Sequence, residues 1–121
     1  MALIPIYDSK GEARALLEYP YLFNRNGDWI GFVTPKRDVF SVLGFYVGYL
    51  TNDPRIIRKA ATAALKPRAA VPDAPPHVYP PATVPLAPLM SELPTTVIDV
   101  LLEEPDRLHS LDAGELREDI A

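Results

Sequence analysis

Between Ile6 and Leu50 the apolar and polar positions repeat one outline three times, as IYDSKGEARALL, LFNRNGDWIGFV and VFSVLGFYVGYL. Each copy runs aliphatic, aromatic, then Asp, Asn or Ser. Two free positions, a Gly, three more positions, a small residue and two apolar residues follow. The copies begin at Ile6, Leu22 and Val39, and each predicts a β-hairpin. Asp8, Asn24 and Ser41 stand at the first place of a turn, where a side-chain oxygen accepts a backbone N–H two residues on. Gly11, Gly27 and Gly44 stand at the fourth, where a type I turn with a following bulge needs positive φ. After the turn, simple alternation puts Glu12, Arg14 and Leu16 on one face, with Asp28, Ile30 and Phe32 and then Phe45, Val47 and Tyr49 equivalent to them. The opposite face holds Ala13, Trp29 and Tyr46, then Ala15, Gly31 and Gly48, then Leu17, Val33 and Leu50. The series Ala15, Gly31 and Gly48 is always small, which predicts close approach of equivalent strands around a pseudo-symmetry axis. One hairpin cannot bury its apolar face alone, whereas several side by side or in a ring can.

A fourth copy falls due near Ile56, but RIIRKAATAALKP lacks the turn glycine. Repeat spacing predicts a strand from Arg55 to Lys59. Local propensity, with Asp53 as N-cap and Pro54 at the first helical place, argues for a helix instead; the strand is the reading adopted. Nine of the fourteen prolines lie between Pro67 and Pro94, which predicts an extended, polyproline-like arm acting as a spacer. In TTVIDVLLEE the residues Val97, Val100, Leu101 and Glu104 lie at helical spacing ahead of Pro105, predicting a helix over Thr95 to Glu104. Asp112 with Glu115 reads as a capping box for a last helix, Ala113 to Ile120. The chain thus divides into a hairpin-repeat module (1–66), a Pro-rich arm (67–94) and an acidic, partly helical segment (95–121).

The three phrases in series, ahead of a Pro-rich tail, resemble the four-fold β-flower proteins. The resemblance rests on Ile6–Leu17, Leu22–Val33 and Val39–Leu50 and extends to about Lys59, roughly half the chain. It implies a mainly β fold, with three to four pseudo-symmetric antiparallel hairpins forming a shallow, flower-like barrel. That family has been compared with Tubby-like and scramblase folds, an analogy that brings an apolar or lipid ligand at the barrel axis into view. The resemblance implies no catalytic residue.

Composition changes this picture little. With no cysteine there is no disulfide framework or thiolate metal site, and the N-terminus lacks the basic and apolar regions of a secretory signal. The most apolar run, Val39 to Leu50, is too short for a transmembrane helix, and a cytoplasmic location is expected. Residues 1–70 carry ten Lys or Arg against six Asp or Glu, a balance of +4; residues 95–121 carry two against eight, a balance of −6. Phe23, Arg25, Trp29, Phe32, Lys36, Arg37 and Phe40 interleave rings with charge as single-strand binders do, but the module is not basic enough to expect nucleic acid.

Neither His77 nor His109 has a metal-ligand neighbour in spacing, no serine sits in a nucleophile elbow, and no phosphate-loop pattern occurs. Asp99, Glu103, Glu104 and Asp106 read as a solvated helix face rather than a cation site. No cofactor and no enzymatic activity are expected. The expectation is a protein-binding or scaffolding module. Its partner is another protein or a second copy of the chain, met through Trp29, Tyr46, Val97, Val100 and Leu101, with the helix presented at the end of the arm. The alternative is a lipid or apolar ligand held at the axis or the membrane surface.

Overall fold

In the computed structural model, which describes residues 3–59 and 67–110, eight antiparallel strands follow one another in chain order around a curled sheet. They are β1 (Ile4–Tyr7), β2 (Ala13–Glu18), β3 (Tyr21–Asn24), β4 (Trp29–Val33), β5 (Asp38–Ser41), β6 (Tyr46–Leu50), β7 (Ile56–Lys59) and β8 (Val97–Asp99). A single helical turn, α1 (Val100–Glu103), follows, with a 3-10 turn at Pro105–Arg107. The expected helix at 113–120 lies outside the described residues.

The three repeats form β1–β2, β3–β4 and β5–β6, and their turns close as the sequence requires. Gly11, Gly27 and Gly44 have φ of +86°, +88° and +86°, and each donates its N–H to the carbonyl three residues back. One oxygen of Asp8 accepts from the amides of Lys10 and Glu12; Asn24 and Ser41 do the same for their own turns. The links between hairpins reuse this device. Thr34 accepts from the Asp38 amide and Thr51 from the Arg55 amide, and Arg37, at φ 70°, stands where glycine stands in the repeats.

Simple alternation after the turns is corrected by the pairing. Tyr7 faces Ala13 while Ile6 faces Ala15, so Arg14 is an extra, unpaired residue; Ile30 and Val47 are its equivalents. Each bulge rephases its strand. Ile30 and Val47 therefore join Leu17, Val33 and Leu50 in the inner core, whereas Trp29, Phe32 and Tyr46 gather on the outer face.

The fourth unit begins with the expected strand and ends unexpectedly. β7 pairs with β8, Ile57 opposite Asp99, so the second strand of the last hairpin comes from beyond the proline-rich stretch. The whole of residues 60–96 thereby replaces a four-residue turn. The helix expected over Thr95 to Glu104 shrinks accordingly. Val97 and Ile98, β-branched, extend along β7, and Asp99 caps what remains by accepting from the Leu102 amide. Val100, Leu101 and Leu108 then close the inner core against Ile6, Leu22, Val39 and Ile56.

The small series has a specific cause. A Cβ on Gly48 would lie 2.5 Å from the backbone oxygen of Ile57 on β7, and one on Gly31 2.5 Å from that of Phe40 on β5. The neighbour is main chain and cannot rotate away. Gly48→Ala is therefore expected to cost about 1–3 kcal/mol, the usual range for overpacking. Urea unfolding measures it, and a variant as stable as the parent contradicts the packing described.

Candidate functional site

The outer face of the sheet is aromatic. Leu16, Phe23, Trp29, Phe32, Phe40, Val42 and Tyr46 form one buried cluster; Phe32 stacks on Phe40 at 5.5 Å and Phe40 meets Tyr46 edge-on at 5.9 Å. Left bare, such a patch would exceed what a soluble surface normally carries. Ala69, Val78 and Val84 of the proline-rich stretch pack against it. The stretch is therefore not a free spacer but a belt laid over the aromatic residues.

The belt's rhythm is that of polyproline II, three residues per turn. Ala69, Pro72, Pro75 and Val78 are half-buried, and again Val84, Ala87, Met90 and Leu93, with mostly exposed residues between them. Its anchors fall on the hairpin turns in reverse order. The Ala69 amide donates to Gly44 O (2.9 Å), the Val78 amide donates to Gly27 O (3.0 Å), and Ala87 abuts Gly11. Those contacts recur every nine residues, three polyproline turns, as the belt steps from petal to petal. Additional ties are the Tyr7 hydroxyl donating to Pro85 O (2.7 Å) and His77 Nδ1 lying 3.2 Å from Asp28 Oδ1.

At its far end the belt is latched by Arg55, which is buried. Its Nη2 donates to Ser91 O (2.9 Å) and to Asp53 Oδ2 (2.6 Å), and its Nη1 donates to Ser9 Oγ (3.0 Å). The Ser9 amide in turn donates to Asp99 Oδ2 at 2.7 Å, tying the first turn to β8. Arg55, Ser9, Ser91 and Asp99 line a cavity of about 590 Å³ with Glu92 and Glu103. Burial alone would raise the Asp53 pKa, but hydrogen bonds from Arg55 and Thr51 outweigh it and hold the carboxyl below its ordinary value. Nearby, buried Arg58 takes the place of the turn residue in the fourth unit. Its Nη1 lies 2.6 Å from Glu104 Oε1, while its Nε has no hydrogen-bond acceptor among the described residues. The Arg58 guanidinium beside Glu104, with Arg107 at 2.8 Å, holds the Glu104 carboxyl below its ordinary value.

The residues expected to meet a partner are spent internally, which corrects that expectation. Trp29 and Tyr46 are each 8% exposed beneath the belt, and Trp29 Nε1 donates to Gly31 O. Val100 and Leu101 lie in the inner core and Val97 is half-buried on β8. Asp8, Asn24 and Ser41 cap their own turns. Asp99 accepts from Ser9 and Leu102, and among the described residues no acidic or histidine group is arranged to hold a metal ion. No helix among them is long and apolar enough to cross a membrane. Sequence reasoning missed the belt as a site, although the recurrence of Ala, Val and Pro at every third position from Ala69 to Ala87 was visible.

A curled half-barrel of four antiparallel hairpins, three of them cornered by glycine, defines the class. The family model described as 4-fold beta flower protein matches residues 4–101, and the chain belongs to that family. The match ends at Leu101, just past β8, so it spans the belt and the late strand that completes the fourth hairpin. Comparison with curated proteins and with solved structures finds no match.

A carboxyl whose pKa is lowered by folding stabilises the fold above its unfolded pKa, and that contribution disappears as pH falls through the folded value. Glu104 and Asp53 both behave so. The protein is expected to lose stability as pH falls below about 4.5, the ordinary value for a glutamate. In Glu104→Gln that loss is smaller. Urea unfolding at pH 7 and pH 4 checks this; an unchanged acid response in the variant contradicts it.

Proposed function

We propose that the protein is a non-catalytic binding module that holds an extended proline-rich strand rigid and offers its outward ridges to a protein partner. The observation that carries this reading is the exposure of large apolar belt residues. Tyr79, Leu86 and Leu89 are 89%, 95% and 101% exposed, although the same belt is pinned to the aromatic face through its other ridge. Leu86 and Leu89 lie three residues apart and share one outward ridge. Pro85 and Pro88, also exposed, share the next. A polyproline strand already fixed loses little entropy on binding, and paired Pro and aliphatic ridges are what aromatic-lined grooves read. The acidic helix is not the presented element in this reading, because Val100 and Leu101 are core. A lipid or apolar ligand at the axis would have to displace Val100, Leu101 and Leu108.

The double substitution Leu86→Ser/Leu89→Ser removes the ridge at two fully exposed positions, where stability changes stay within about 0.5 kcal/mol. Immobilised parent and variant are compared for proteins retained from a lysate of the native cells, with light scattering reporting self-association of each. The expected result is at least one protein, or a second copy, held by the parent and lost from the equally stable variant. Identical retention and identical mass would overturn the reading.

A further inference from the structure

The belt hides a second surface, on the side opposite the one proposed for the partner. We propose that the aromatic face beneath it is itself a receptor for extended proline-rich strands of other polypeptides, and that the belt is its resident ligand in cis. This does not rest on the reading of the outward ridge, and either can fail without the other.

Four observations carry it. The face is built by the sheet and not by the belt: Phe23, Trp29, Phe32, Phe40 and Tyr46 sit on strands paired to their neighbours through main-chain bonds. Its outer cover is exchangeable in kind, because the belt residues against it, Ala69, Val78 and Val84, are small or aliphatic and only partly buried. Two of the polar fixings to the petal tips are main-chain bonds, Ala69 N–H to Gly44 O and Val78 N–H to Gly27 O, which any peptide with a free amide at that place supplies; the side chains of Arg68 and His77 add ties to Leu43 O and Asp28. Finally, the belt is the loop of a hairpin whose two strands, β7 and β8, pair through their own register, Ile57 opposite Asp99, so lifting the belt breaks none of the sheet's ladder.

The chemistry selected follows from the geometry. A ligand must be polyproline-like, with a small or aliphatic residue facing inward at every third place, and with a residue bearing an N–H, hence not proline, at nine-residue intervals. Rings below a prolyl strand supply the apolar contact, as they do in grooves that read such strands. The resident belt competes at an effective concentration of about millimolar, so an outside strand binds the parent protein weakly.

The turn glycines give the test. Gly11 and Gly27 have nearly the same φ, +86° and +88°, so alanine strains both turns alike. At Gly27 the new Cβ would fall 1.8 Å from the carbonyl oxygen of Val78, whereas at Gly11 the nearest belt atom is 3.7 Å away. Gly27→Ala therefore spoils the seat for any strand in that register, resident or added, and Gly11→Ala does not. Val78→Asp in the full chain instead uncovers the face from the belt side and leaves the face itself unaltered. A labelled synthetic peptide with the sequence of residues 67–94 is titrated against full-length parent, Val78→Asp, Val78→Asp/Gly27→Ala and Val78→Asp/Gly11→Ala. Quenching of Trp29 fluorescence by acrylamide reports whether the face is uncovered. The expected result is binding to Val78→Asp at least tenfold tighter than to the parent, kept with Gly11→Ala, and lost with Gly27→Ala or when the peptide carries Asp at the places of Ala69 and Val78. Should Val78→Asp not fold, Val84→Asp uncovers the face in the same way and carries the same expectation. Either of these single variants with Trp29 accessible and no gain in peptide affinity overturns the proposal.

Discussion

The pairing of β7 with β8 is the constraint from which the rest of the molecule follows. Three hairpins are closed by turns of four residues, within their own repeats. The fourth joins Ile56–Lys59 to Val97–Asp99 across a loop roughly nine times longer, and closing it costs about 2 kcal/mol more than closing a short turn. Prolines lower that cost by restricting the unfolded chain. Contact with the aromatic face and the petal-tip hydrogen bonds offset what remains. The absence of a turn glycine after Ile56 has the same origin, since no tight turn exists there to need one. With the strand returned, Val100 and Leu101 fall into the inner core and seal it.

The same constraint ties structure to function. A loop obliged to travel round the molecule meets each petal in turn, in reverse chain order, and the repeat gives it equivalent footholds nine residues apart. The bulges that throw Trp29, Phe32 and Tyr46 outward supply the apolar floor beneath it. A polyproline strand so held has one ridge committed and two outward. Both surfaces proposed above are faces of that one strand and its seat.

Much of the fold was legible because its signals are local. An Asp, Asn or Ser followed three places later by Gly states a turn, and three such phrases at near-constant spacing state a repeat. The strand after Arg55 followed from that spacing against a contrary helical propensity. What escaped were the non-local facts. Nothing near Thr95 says that a partner strand waits at Lys59, so Val97–Leu101 read as a helix, and its apolar residues as a partner surface. The bulge residues Arg14, Ile30 and Val47 were invisible to strict alternation, which put Ile30 with Phe32 when the pairing separates them. The belt was misread because proline density signals an extended chain without saying whether that chain lies on something. The three-residue recurrence of Ala, Val and Pro from Ala69 onward carried that information.

Backbone amide exchange of the intact protein, resolved residue by residue, tests the seated belt most directly. The amides of Ala69 and Val78 donate to Gly44 and Gly27 and should exchange as slowly as those of the sheet, while the exposed Leu86 and Leu89 exchange freely. Random-coil rates at both Ala69 and Val78 would contradict the account.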